Sequence, residues 1–228
     1  MSDVWPMIQA EREACADLFE ALSPEQWASA TWCAHWNVRD MAGHMIAATE
    51  SSPGMFFSHL AKAGFSFDKM VEADAKHYSA GDPFSFAAAM RAGALRRNHP
   101  PGPVSAMLGE AVIHGEDIRR PLGLSRDIPP ASLLAVANFY KGSSLIVGAK
   151  RRISGLRLEA TDVTWSNGDG PEVKGTLASL ILAMTGRKEV LSELSGEGVA
   201  ALGSRPYRRR RLAPPRPVAG RRRPGGFS

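Results

Sequence analysis

Residues 110–117 run Glu110-Ala111-Val112-Ile113-His114-Gly115-Glu116-Asp117, and this stretch decides the architecture. At 3.6 residues per turn, positions four apart lie about 40° apart on a helix. Glu110 and His114 therefore share one face, with Asp117 on the same stripe. The neighbours Leu108, Ala111, Val112 and Ile118 are apolar. A narrow acid–histidine stripe on an otherwise apolar helix suits a metal site inside a helical bundle. The same spacing also suits a solvated stripe with an i,i+4 pair, so the pattern alone leaves both open.

Working outward, the preceding chain carries further helical signals. Between Met7 and Leu22, Cys15, Leu18, Phe19 and Leu22 recur every three or four residues, with Ile8 two turns before Cys15. That spacing predicts an amphipathic helix. Ser23 can cap a short helix with Pro24 at its first position. Asn37-Val38-Arg39-Asp40 resembles a capping box and opens a helix to about Glu50. Met55–Ala63 resumes helix, 64–82 reads as a looser connection, and Pro83–Arg97 is helical again. Asn98-His99-Pro100-Pro101-Gly102-Pro103 is a hard break. Val104–Arg120 and Ser132–Ala149 are two further helices.

Beyond about residue 150 the pattern changes. Leu156–Thr161 and Val163–Trp165 alternate as strands, and Ser166-Asn167-Gly168-Asp169-Gly170 is a hairpin-turn cluster. Glu172–Lys174 is the expected returning strand. Thr176–Thr185 predicts a helix that stops at Gly186. The expected fold class is α+β: a four-helix bundle over 1–150, a small α+β domain over 151–204, and a disordered Arg/Pro-rich tail over 205–228. The sequence shows no internal repeat.

Charge supports that division. The 228 residues hold 28 Lys+Arg and 23 Asp+Glu, a net charge of +5. Nine of the arginines lie in 205–228, which has no acid; without them, 19 basic residues face 23 acidic ones in 1–204, a net −4. A mildly acidic body is not a nucleic-acid binder on charge, and only the basic tail offers sequence-blind contact with phosphate. At 44% hydrophobic residues the chain can bury a core, yet no apolar run reaches the roughly 18–20 residues that span a bilayer. Met1-Ser2-Asp3-Val4-Trp5-Pro6 lacks the basic and apolar regions of a signal peptide. A cytoplasmic protein without a membrane partner is expected. Cys15 and Cys33 fit buried small hydrophobes better than a catalytic thiol.

A third ligand for the Glu110/His114 pair would come from another helix. His44 borders the apolar face of its helix, and Gly43 beside it permits close approach. Two neutral imidazoles and a carboxylate suit Zn²⁺ and leave a position for water or substrate. A hydrogen-bonded boundary histidine is the plainer alternative for His44. Asp40 fits a helix cap better than a group behind a ligand. Asp117 can either hold the far nitrogen of a ligand imidazole or pair with Arg119 or Arg120. Those two arginines fit the helix C-terminus better than a substrate carboxylate. His35, His59, His77 and His99 lack comparable partners.

At these residues the sequence resembles the mycothiol-dependent maleylpyruvate isomerase family. Leu22-Ser23-Pro24-Glu25-Gln26-Trp27, Thr31–Asp40 and the later His44 are similar to its N-terminal signature. His114-Gly115-Glu116-Asp117-Ile118-Arg119-Arg120-Pro121-Leu122-Gly123 is similar to its second block. Ala160-Thr161-Asp162 through Trp165, Gly168-Asp169-Gly170-Pro171 and Thr185-Gly186-Arg187 resemble its C-terminal domain. The likeness runs over roughly 7–204. It implies a DinB-like four-helix bundle holding a divalent metal, usually zinc, at the positions of His44, Glu110 and His114. It also implies mycothiol as thiol cofactor, for transfer to, or isomerisation of, a small electrophilic substrate. A non-catalytic metal- and thiol-binding module is the alternative. No residue is assigned as acid or base.

Overall fold

Helix starts are set by local chemistry. In the computed structural model, which describes residues 3–33, 35–144 and 147–206, Pro6 sits in the first turn of α1 (Trp5–Ala21), where its missing N–H leaves no bond unmade. Asn37 caps α2 (Val38–Glu50): its side chain accepts from the Asp40 N–H, and the Asp40 carboxylate accepts from the Asn37 N–H. That is the expected capping box, and it settles Asp40 as a cap. Ser52 caps α3 (Pro53–Lys62) and Ser66 caps α4 (Phe67–Ser79). A 3₁₀ turn leads into α5 (Phe86–Ala94), and α6 (Ser105–Arg119) follows the proline-rich break.

Four of these helices form a ring. α1 packs against α5 and α6, and α2 packs against the same two, so α1 and α2 lie diagonally opposite. α4 covers the outer side of α2. Residues 64–82 are thus not the loose connection that the sequence suggested. The face α4 buries holds Met70, Ala75 and Ser79, with Val71 and Tyr78 partly buried against the core of α1 and α2, and its apolar residues do recur at helical spacing. It is matched by Gly43, where a Cβ would stand 2.5 Å from the Ala75 carbonyl oxygen.

Two further expectations are corrected. The helix expected over Ser132–Ala149 is α7 (Pro130–Gly142); it starts at the proline that suits the first helical position and ends at Gly142-Ser143. A four-residue α8 (Ala149–Arg152) follows Gly148, whose φ is 67°. The expected hairpin is also rearranged. β1 (Arg157–Ala160) pairs antiparallel with β2 (Ser166–Asn167) and parallel with β3 (Glu172–Gly175), in the order β2-β1-β3. Val163–Trp165 forms the connection, and Ser166–Asn167, expected in a turn, forms a strand. Gly168 and Gly170, at φ 80° and 122°, carry the chain past the start of β1. A side chain at either would strike a carbonyl of Leu156 or Gly155. The chain therefore enters β3 on the far edge of β1.

α9 (Leu177–Met184) and α10 (Val199–Ser204) complete the fold. One core cluster joins α1 and α2 through Phe19, Trp27, Met41, Phe86 and Met90. The other runs from Ile8 through α6 and α7 to Val173, Leu180 and Leu202. The mostly helical N-terminal part and the later small mixed sheet match the expected fold class. The expected disordered tail lies, from residue 207 on, outside the described residues. Among those residues no helix is long and apolar enough to cross a membrane.

Candidate metal centre

α6 contributes to both core clusters and is buried on nearly every side. Of its 15 residues, only Ser105, Glu110 and His114 are not buried. A solvated stripe would expose Asp117 as well, yet it is 0% exposed. The helix thus opens toward solvent, past its first residue, only at the two residues with ligand spacing.

His44 on α2 meets them there. Its Nε2 lies 2.8 Å from Glu110 Oε1, and its ring centroid is 5.1 Å from that of His114. Trp36 also packs on His44, 4.8 Å between centroids, and is held by a 3.0 Å bond from its Nε1 to Glu72 Oε2 on α4. One ligand atom from each of His44, Glu110 and His114 falls within 4.8 Å of the others. Zinc bonds of about 2.0–2.2 Å in a tetrahedron separate ligand atoms by about 3.3–3.6 Å, so the three atoms are at the right scale. Glu110 Oε1 is buried and lacks an aligned hydrogen bond despite its nearness to His44. Buried carboxylate oxygens are rarely left so; a cation shared with the imidazoles would satisfy it. Burial pushes the Glu110 carboxyl up, but the charges of His44, His114 and Arg12 outweigh it and bring the pKa down to about 2. The donor set fits a divalent metal.

Asp117 explains how His114 is held. His114 Nδ1 lies 2.9 Å from Asp117 Oδ2, so Nδ1 donates and Nε2 keeps its lone pair for the site. Asp117 does not pair with Arg119 or Arg120. Its partner is Arg187, whose Nε reaches Oδ1 at 2.9 Å and whose Nη2 reaches Oδ2 at 2.6 Å. Burial raises the Asp117 carboxyl, while the Arg187 charge and the bonds from His114 and Arg187 outweigh it; the pKa is about 2. Sequence reasoning missed Arg187 in this role because the pair spans 70 residues. Thr185-Gly186-Arg187 marked a helix stop but not a contact.

The other expected residues fall as follows. Arg119 donates to the Ala14 carbonyl, and Arg120 bonds Glu116 and Glu193, so neither faces the site. Cys15 and Cys33 are buried and free of disulfide. His59 pairs with Asp74 at 2.8 Å but joins no group of ligand atoms among the described residues. Arg12, also unanticipated, is 2% exposed and donates to the carbonyls of Gly93 and Arg96 at the end of α5.

A ring of four helices that brings two histidines and a glutamate together, followed by a small mixed sheet, defines a helical-bundle protein with a candidate metal centre. Residues 8–100 match the model of the mycothiol maleylpyruvate isomerase N-terminal domain family, so the resemblance seen in the sequence holds over that segment. The match includes His44 and stops before Glu110. Comparison with curated protein sequences gives no match. Among solved structures, the fold is similar to the crystal structure of the mycothiol-dependent maleylpyruvate isomerase. The TM-score is 0.59 at 14% identity, with 89% of this chain and 93% of that chain covered. A histidine-to-alanine mutant of that enzyme matches over the same shares with a TM-score of 0.56 and 14% identity. At this identity the likeness is one of fold.

Proposed function

We propose that the chain is a divalent-metal-dependent enzyme that uses mycothiol as its thiol cofactor. It would transfer that thiol to a small electrophilic substrate, or isomerise the substrate with its help. The observation that carries the proposal is the convergence of His44, Glu110 and His114 at the one opening of a buried helix. The family match over residues 8–100 and the fold likeness support the choice of thiol. When bound, the ion, Zn²⁺ by donor chemistry, supplies Lewis acidity that keeps a thiol as its thiolate near neutral pH. Within the chain, His44 and His114 would donate from neutral imidazoles, and Glu110 would bring one negative charge. Asp117 fixes the proton on His114 Nδ1. Trp36 packs against the His44 ring.

Metal analysis of protein purified without chelator tests the site. Wild type should carry about one divalent ion, and His44→Ala, Glu110→Ala and His114→Ala should each lose it. A wild type that takes up no divalent ion, even when one is added, sinks the reading. Thermal shift with millimolar mycothiol tests the cofactor, because a ligand of the folded state raises the melting temperature. A shift without turnover of any electrophile tried would favour a non-catalytic binding module.

A further inference from the structure

The metal centre draws on the far end of the chain. Leu182–Arg187 closes α9 as a Schellman motif: the Arg187 N–H bonds the Leu182 carbonyl and the Gly186 N–H bonds that of Ala183. Gly186, at φ 99°, takes the left-handed position that motif demands. The turn delivers Arg187 into the interior, 5% exposed, where its fork meets Asp117.

A salt bridge of this kind can simply pin two parts of a fold together. This one does more, because Asp117 Oδ2 is shared between Arg187 Nη2 at 2.6 Å and His114 Nδ1 at 2.9 Å. The two parallel bonds from Arg187 fix both position and plane of the carboxylate. A carboxylate held in one plane presents Oδ2 to His114 in one direction, and that direction sets the imidazole plane. The backbone adds a second anchor, since the Trp32 N–H donates to the Asp117 carbonyl at 3.1 Å.

We propose that Arg187 is a positioning residue of the metal centre, acting through the Asp117 carboxylate to fix the tautomer and orientation of His114. This rests on the proposed metal-binding role of His44, Glu110 and His114. It makes the segment after α9 a working part of the site: the first ligand shell belongs to α2 and α6, and the support of one ligand to residue 187.

The test uses the full chain and two probe ions, Zn²⁺ for affinity and Co²⁺ for its ligand-field spectrum. Arg187→Met should weaken Zn²⁺ binding by about 10–100-fold, the usual effect of losing a group behind a ligand histidine. Its Co²⁺ spectrum should change in band position or intensity. Asp117→Asn should do the same. The double variant should lose little more than either single change, because both act on one path. Arg187→Lys supplies a charge without the fork and should recover only part of the affinity. Measurements are made well below the unfolding temperature of each variant. Folded variants with lower melting temperature but wild-type Zn²⁺ affinity and Co²⁺ spectrum would show a merely structural bridge and overturn the inference. Wild type that binds neither ion overturns the proposed function instead. Should Arg187→Met not fold, Arg187→Lys carries the comparison, and in the wild type a His114 proton found on Nε2 by imidazole ¹⁵N spectra refutes the inference.

Discussion

Substituting Gly43→Ala tests the geometry that seats His44. A Cβ at Gly43 would stand 2.5 Å from the Ala75 carbonyl oxygen, 2.7 Å from the Ser79 nitrogen and 2.8 Å from the Ser79 Cβ. Two of these are backbone atoms of α4 and cannot turn away. Ordinary contact begins near 3.4 Å, so α2 and α4 must separate by about 0.9 Å at Ala75. Overpacking of this sort costs about 1–3 kcal/mol, while the better helix propensity of alanine returns about 1 kcal/mol. A net loss of up to about 2 kcal/mol follows, or up to about 8 °C in melting temperature at this chain length. Since His44 is the next residue, its displacement from Glu110 should weaken Zn²⁺ binding as well. Thermal unfolding in chelator reads the first effect, and competition with a zinc indicator reads the second. Gly54→Ala on α3 is the control: nothing lies within 4 Å of its added Cβ, so stability should hold or rise slightly. A Gly43→Ala protein as stable as wild type, with unchanged Zn²⁺ affinity, would refute the account of how α2 is seated.

Two further predictions concern titratable groups. Burial, aided by Glu11 and opposed by Arg119 and Arg126, pushes the Cys15 thiol up to about 11. A thiol reagent at pH 7.5 should leave it unlabelled in the folded protein and label it on denaturation; rapid labelling of the Cys15 peptide in the native state would contradict this. Asp117 has a folded pKa of about 2 against an ordinary 3.8, so its contribution is present above about pH 4 and fades as pH falls toward 2. At 1.36 kcal/mol per pK unit this amounts to about 2–3 kcal/mol. Urea midpoints of the metal-free protein from pH 5 to 2.5 should fall more steeply for wild type than for Asp117→Asn, and parallel curves would count against it.

What the sequence discloses follows from the range of each interaction. Glu110 and His114 share a helix, so a period of 3.6 places them, and the capping box at Asn37 and Asp40 lies within four residues. His44 needed the family resemblance as well, because nothing local ties it to α6. α4 was legible in principle, since Met70, Val71, Ala75 and Tyr78 fall on one helical face; what no periodicity records is its close seating on Gly43 of α2. The sheet was half legible: alternation at Leu156–Thr161 marked a strand. Its neighbours depended on where Gly168 and Gly170 turn the chain, which no periodicity records. Arg187 is the extreme case, a side chain whose partner lies 70 residues away.

Charge counting adds an argument about what completes the centre. Two neutral imidazoles and one carboxylate leave a divalent ion with one net positive charge. An unpaired Asp117 behind His114 would cancel it, but Arg187 already matches that carboxylate. Arg12 adds positive potential at Glu110 from the α1 side. Uncompensated charge in a largely buried site is costly, so these residues favour an anion over neutral water as the fourth ligand. Among anions, a thiolate suits a borderline-soft ion such as Zn²⁺. For the proposed ligand set, His44, Glu110 and His114 therefore bear on the cofactor as well as the metal: they would leave one charge for a thiolate to neutralise.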